Sequence, residues 1–377
     1  MANLLSRRQF LQAGNGLLAV AAATPLWNSP VLAQPARQPR RVRETLYTQG
    51  RYLYDRLGNK VIPRGVNKMS VWDDEDLTGN ICFPEIRKTG ANSVRIVWAI
   101  RKDLQPGPSD TDPNQLDTLI TNAKANYLIP MIELHDATGD WSRLPDVIDY
   151  WTQPEVINII QKHQEYLLVN IANEAGDNTV GEDQFIEGYS RAIQMMRSVG
   201  IQTPLVIDAS DWGKSLDRLD ATAARLIAVD PENNLLFSVH LYWSMFAGAD
   251  ANFIRSSLGN SVDLGYPLIV GEFSAYGGWA GFDENNLDEN GEPKAKSMCS
   301  PDGAIDYQTI IEVCHQNEIG WYAWEWGPGN GFYDPLCVVM DMTPDRLFAN
   351  LKSGWAEEVV ISSPYSIKNT SITSPTM

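Results

Sequence analysis

Eight short apolar runs recur along the chain between residues 65 and 326, with helically spaced stretches between them. Leu167-Leu168-Val169-Asn170-Ile171-Ala172 shows the design. It is rich in branched residues, too short for a helix, and ends in the polar pair Asn173-Glu174. Pro267-Leu268-Ile269-Val270-Gly271-Glu272 repeats it. Strands that are apolar on both faces belong to a parallel sheet covered by helices. An open, doubly wound sheet would alternate in the same way. The count of eight, and a polar group at the end of almost every run, favour closure into a barrel, which keeps its chemistry at that end. No glycine-rich phosphate loop follows the first run, which weakens a nucleotide-binding reading. The expected fold is α/β: a (β/α)8 TIM barrel.

Taken in order, Gly50–Asp55 and Lys60–Arg64 flank the turn Leu57-Gly58-Asn59 and predict an N-terminal β-hairpin, whose second arm runs into a first barrel strand at Gly65-Val66-Asn67. Further strands are expected over 93–98, 128–135, 167–172, 205–209, 235–242, 267–273 and 320–326. Helices are expected over 115–126, 153–163, 182–199, 216–228, 251–258 and 304–317, with a closing helix at 346–352. Gly200 is placed to end the helix before it. Long loops follow strands seven and eight, 274–303 and 327–341. Insertions of that length on the catalytic face act as substrate walls or lids.

The ends of the chain are read separately. Ser6-Arg7-Arg8-Gln9-Phe10-Leu11, an apolar run to Trp27 and the small residues Val31-Leu32-Ala33 form a twin-arginine signal peptide over 1–33, with cleavage before Gln34. The expectation is export to the periplasm or the extracellular space. Residues 34–43 read as a linker, 44–360 as the catalytic domain, and the Ser/Thr-rich 361–377 as a disordered tail. An oxidising compartment permits disulfides, and Cys299 with Cys337, both in the long loops, is the first pair expected. Cys314 falls in a helical pattern and reads as a buried thiol. The net charge of −17 opposes phosphate, so neither nucleic acid nor an anionic membrane is an expected partner. A neutral polymer is compatible with it, and the 12 tryptophans offer flat apolar faces that suit sugar rings. The processed chain is expected to act as a monomer, free of the membrane.

The strand ends bring together Asn67, Arg95, His135, Asn173, Glu174, Asp208, His240, Tyr242, Glu272 and Trp326. Singly, each has an ordinary structural explanation; together, they would share one barrel face. Strands four and seven oppose each other across the mouth, so Glu174 and Glu272 can approach. Two carboxyl groups about 5–5.5 Å apart cleave a glycosidic bond with retention: one attacks the anomeric carbon, the other protonates the leaving oxygen. Glu272 is expected as the nucleophile, kept ionised by Arg95 and the Tyr242 hydroxyl. Glu174 is expected as the acid/base, its pKa raised by burial and by Glu272. Asn173 is placed to bond the sugar 2-hydroxyl. Trp324 and Trp326 share a face, and the outer one, Trp326, is taken as the ring that stacks on sugar. No histidine pair has metal-ligand spacing, and neither a metal nor a cofactor is expected.

Asn173-Glu174, His240-Leu241-Tyr242, Gly271-Glu272-Phe273 and the last-strand tryptophan resemble the signature set of glycoside hydrolase family 5, whose members are retaining barrel enzymes. Glu133-Leu134-His135-Asp136-Ala137-Thr138-Gly139 and Ala91-Asn92-Ser93-Val94-Arg95-Ile96-Val97 resemble its bacterial endo-β-1,4-mannanases. The likeness implies that Glu174 is acid/base and Glu272 nucleophile. It implies that Arg95, His135, Asn173, His240 and Tyr242 support them and that Trp326 floors the cleavage subsite. The chain departs from the family at Ala175-Gly176, where a tryptophan or proline is common. A secreted endo-β-glycosidase acting on mannan or glucomannan is the expected activity. The alternatives are a β-glucanase on the same scaffold and a non-catalytic carbohydrate-binding barrel.

Overall fold

The computed structural model describes residues 42–100, 111–277, 282–287, 293–295, 301–329 and 340–377. The segment expected as a signal peptide, most of the linker, Cys299 and Cys337 lie outside them.

Eight strands run parallel and close on themselves in sequence order: β1 (Arg64–Lys68), β2 (Ser93–Trp98), β3 (Ile129–Leu134), β4 (Leu168–Asn170), β5 (Leu205–Asp208), β6 (Leu235–His240), β7 (Leu268–Glu272) and β8 (Gly320–Ala323). The last closes the ring by pairing Tyr322 with Gly65 of the first. This is the expected TIM barrel. Side chains two apart on a strand share a face, and that period builds the interior in two levels. Met131, Leu168, Val206, Leu236, Ile269 and Tyr322 form an apolar plug. Two residues further along, Glu133, Asn170 and Asp208 replace it with a buried polar layer.

The N-terminal hairpin gains a strand and becomes a three-stranded meander, Tyr47–Gln49, Tyr52–Tyr54 and Lys60–Val61. Its turn is held by Asp55, whose carboxylate accepts from the backbone N–H groups of Leu57 and Asn59. Leu46, Leu53 and Val61 pack into the barrel plug, so the meander seals the end opposite the catalytic face. Asn234 fastens it, accepting from Thr48 N and donating to Leu46 O.

The helical layer follows local chemistry. Asp112 caps Pro113–Ala125 by accepting from Gln115 N, and Asp250 caps Ala251–Leu264 in the same way. The helix Glu182–Ser198 stops where expected: Gly200, at φ 84°, takes a left-handed conformation that a side chain resists. The segment 346–352 differs from expectation. It forms only a short 3-10 turn at Phe348–Asn350, because Arg346 is drawn inward by Asp73 and its φ of 74° is incompatible with a right-handed helix. The wall is closed instead by a helical stretch over Trp355–Ser362.

The tail 361–377 is packed, not disordered. Its polar groups meet fixed partners on the barrel: Arg87 donates to Thr373 Oγ1 at 3.0 Å, Asn92 to the Ile372 carbonyl at 2.9 Å, and Ser374 Oγ to Asp55 at 2.8 Å. Ile367 is fully buried. No helix among the described residues is long and apolar enough to cross a membrane.

Candidate active site

The strand ends open into a cavity of about 610 Å³ lined by His135, Asn173, Glu174, Tyr242, Glu272 and Trp324 among others. Gly277, Gly303 and Met340 also line it, so the described ends of both long loops form its walls. Glu174, His240 and Glu272 each place a side-chain donor atom within 4.8 Å of the other two. That spacing would suit an ion, but the cluster is already supplied with positive charge by Arg95 and His240.

Arg95 organises the layer beneath. It is wholly buried and spends its guanidinium on five partners. Nη1 donates to Glu272 Oε1 at 2.7 Å and Asn67 Oδ1 at 3.0 Å; Nη2 donates to Asn173 Oδ1 at 2.6 Å, Asn170 Oδ1 at 2.9 Å and Asp208 Oδ2 at 3.3 Å. A planar fork reaches this many acceptors where an ammonium could not. Burial opposes its charge, but Glu133, Glu272 and Asp208 raise its pKa beyond the ordinary arginine value.

Glu272 ends β7 after an irregularity in register between Val270 and Glu272, which lets it stand level with His240. Tyr242 Oη donates to its Oε2 at 2.8 Å. Burial raises the Glu272 pKa above the ordinary glutamate value, against the pull of the His240 and Arg95 charges. Burial and the same glutamate push the Tyr242 phenol well up, so it remains a donor.

Glu174 follows β4 with φ at 45°, a left-handed conformation that costs a non-glycine residue roughly 1–3 kcal/mol and clusters at functional sites. The strained backbone is tied down on both sides: Glu174 N donates to Asp208 Oδ2 at 3.2 Å, and Gly139 N donates to the Glu174 carbonyl at 3.0 Å. Its Oε1 lies 2.6 Å from His240 Nδ1. His240 is boxed between two glycines. A Cβ on Gly213 would stand 2.7 Å from its Cγ, and one on Gly271 2.7 Å from its Nε2. Burial alone would lower the His240 pKa, but the charges of Glu272, Asp208 and Glu174 raise it to about 9.

The other expected site residues divide. Asn173 reaches the pocket with its amide oriented, Nδ2 donating to Thr138 Oγ1 at 2.9 Å. His135 lines the pocket and is held by Glu133 Oε1 at 2.9 Å from Nδ1. Arg95 and His240 are fully buried and are not among the lining residues; their side chains meet Glu272 and Glu174 instead. Trp326 does not fill its expected place. It is fully enclosed, its Nε1 donating to the Arg346 carbonyl at 2.8 Å. Trp324 takes the pocket position and stacks on His135, with ring centroids 6.2 Å apart at 20°. The two tryptophans do not share a face because β8 ends at Ala323 and the alternation ends with it. Glu133, Thr138, Trp212 and Lys214 were absent from the expected set. Only Glu133 carried a signal, lying two residues before His135 on the inward face.

The pattern of the cellulase family, glycosyl hydrolase family 5, matches residues 54–330. A mannan endo-1,4-beta-mannosidase of Salipaludibacillus agaradhaerens is 28% identical over 316 residues, covering 83% of this chain and 90% of that protein. The crystal structure of a beta-mannanase from Streptomyces thermolilacinus with mannohexaose superposes with a TM-score of 0.71 at 28% identity, covering 88% of this chain and 97% of the other. A Thermomonospora fusca beta-mannanase aligns at 30% identity with a TM-score of 0.70, covering 88% and 98%. With the match running through all the strands that carry the paired carboxyl groups and their supports, the chain belongs to glycosyl hydrolase family 5.

Proposed function

We propose that this chain is an endo-β-1,4-mannanase that hydrolyses mannan or glucomannan with retention of configuration. The observation that carries the mechanism is the pair Glu174 and Glu272, with carboxyl oxygens within 4.8 Å of each other across the barrel mouth. That spacing suits direct attack by one carboxylate and falls short of the roughly 6.5–9.5 Å at which an inverting pair seats its attacking water. The substrate class rests on the mannan-cleaving relatives.

In the first step Glu272 attacks the anomeric carbon while Glu174 gives its proton to the leaving oxygen. The bond to the departing chain breaks and a glycosyl ester forms on Glu272. In the second step Glu174 takes a proton from water, the water oxygen bonds to the anomeric carbon, and the ester breaks. Arg95 and Tyr242 orient Glu272, His240 faces Glu174, and Asn173 meets the 2-hydroxyl. Trp324, not Trp326, supplies the apolar ring at the cleavage subsite. The chain reaches its substrate by twin-arginine export, with removal of residues 1–33, and works as a monomer.

A panel of galactomannan, carboxymethylcellulose and laminarin, with product configuration followed by NMR, tests this reading. Mannan cleavage with β-configured first products is expected. Inactivity on mannans with activity on the glucans would make it a β-glucanase, and inactivity on all three a binding barrel. N-terminal sequencing of the exported protein and size-exclusion chromatography test the processing and the monomer.

A further inference from the structure

Asp208 closes β5 beneath the pocket, is fully buried and lines no part of the wall. Its Oδ2 nevertheless meets three parts of the machinery. It lies 3.3 Å from Arg95 Nη2 and 3.4 Å from His240 Nε2, and accepts from Glu174 N at 3.2 Å. Its Oδ1 accepts from Asn170 Nδ2 at 3.1 Å. We propose that Asp208 is a positioning residue for hydrolysis: it holds His240 as a cation against Glu174 and pins the Glu174 backbone in its left-handed turn. The proposal rests on the reading of Glu174 as proton carrier.

The geometry leaves His240 little choice. Gly213 and Gly271 press on the ring from two sides, so one nitrogen faces Glu174 and the other faces Asp208. Nε2 makes no hydrogen bond among the described residues, and the carboxylate 3.4 Å away is what makes a proton there tolerable. The charged and titratable groups around the pair are Glu174, Glu272, Arg95 and Tyr242, with Tyr189 facing Asp208 from the surrounding helix. Three carboxylates act on the imidazole, and removing one lets burial weigh more heavily against its charge.

The charge matters at one moment. When Glu174 gives up its proton, its carboxylate is left 2.6 Å from His240 Nδ1. A cationic ring donates to that new charge; a neutral ring that accepts from Glu174 would stabilise the protonated form instead and slow the transfer. His240 and Asp208 keep their own protonation states throughout, so the reaction balances without them.

The test is Asp208→Asn, compared with the unmodified enzyme on mannohexaose and on a 2,4-dinitrophenyl mannobioside, whose leaving group needs no proton. With mannohexaose, kcat/KM should fall about tenfold or more, and with the aryl substrate by less than about threefold. The alkaline limb of the pH profile should move down by about one unit. Equal losses on both substrates, no loss, or an unmoved limb would overturn the proposal. Should the variant fail to fold, nitrogen-15 NMR of the unmodified protein decides. Among its four histidines, His240 should carry protons on both ring nitrogens at pH 7, and a neutral ring there would overturn the idea. An unmodified enzyme that cleaves no mannan would refute the functional reading, while the NMR result would still judge the Asp208–His240 contact.

Discussion

Arg95 Nη1 donates to Glu272 Oε1 across 2.7 Å, joining β2 to β7 through the barrel interior. Neither side chain has room to separate, since Arg95 is fully buried and Glu272 is 3% exposed. The contact sets the direction of the carboxylate, and Tyr242 on the other oxygen completes it. Burial favours a neutral Glu272; the charges of His240 and Arg95 oppose it and favour the ionised form needed for attack.

Replacing Arg95 by Lys should therefore harm both folding and turnover. An ammonium cannot span Glu272, Asn173 and Asn170 together, and carboxylates are left facing one another. Stability should drop by roughly 1–3 kcal/mol, the cost of leaving buried acceptors such as Asn170 and Asn173 without a donor. Denaturant unfolding measures the first effect, and kcat should fall about 100-fold or more.

Glu272→Gln should abolish turnover, by about 10⁴-fold or more, while leaving the folded state intact. The amide still accepts from Arg95 but cannot form the glycosyl ester. Steady-state assays beside circular dichroism separate the two effects, and retained activity would refute the nucleophile assignment.

Glu174→Ala should spare good leaving groups. A dinitrophenyl glycoside needs no proton, so its loss should be at least about tenfold smaller than that on mannan. Azide should restore turnover of the aryl substrate by attacking the glycosyl ester in place of activated water. Equal losses on both substrates would argue against an acid/base role.

The two tryptophans should behave oppositely. Trp324→Ala removes a ring from the pocket and should raise KM or lower kcat on mannooligosaccharides about tenfold. Trp326→Phe should leave kinetics within about twofold but lower stability by about 1–2 kcal/mol, through the lost bond to the Arg346 carbonyl. Kinetics and thermal unfolding on the pair distinguish the assignments.

His240 makes both stability and activity depend on alkaline pH. Its folded pKa of about 9 stands above the ordinary 6.5, so its stabilisation is fully present below 6.5 and is lost as pH rises through about 9. The amount is on the order of 3 kcal/mol for a fully buried ring. The unfolding midpoint should fall over that window, and activity should fall near pH 9 as the cation beside Glu174 disappears. On the acid side, the limb should lie above the ordinary glutamate value, following the upward shift of Glu272. Melting and rate profiles from pH 4 to 10 check all three.

Much of the molecule was legible from the chain alone. Apolar runs of strand length and helical stretches between them carry their own period, so the eight strands and six of the helices could be read locally, while those at Cys82–Lys88 and Leu144–Trp151 were not. Glu174, Glu272, Asn173 and Tyr242 stood out because polar groups ending buried strands have no place in a core. What local pattern could not supply was direction and distant partners. Trp324 and Trp326 differ only in where β8 stops, which pairing across the barrel decides. The tail looked disordered because its Ser/Thr composition offers little to bury, yet Asp55, Asn92 and Arg87 wait for it some three hundred residues earlier. Composition and periodicity are properties of neighbours in sequence, and they determined the strands, most of the helices and the two carboxyl groups. Closure of the barrel is a property of the whole chain: it alone set the carboxyl groups within 4.8 Å, buried Arg95 beneath them and put Asp208 against His240.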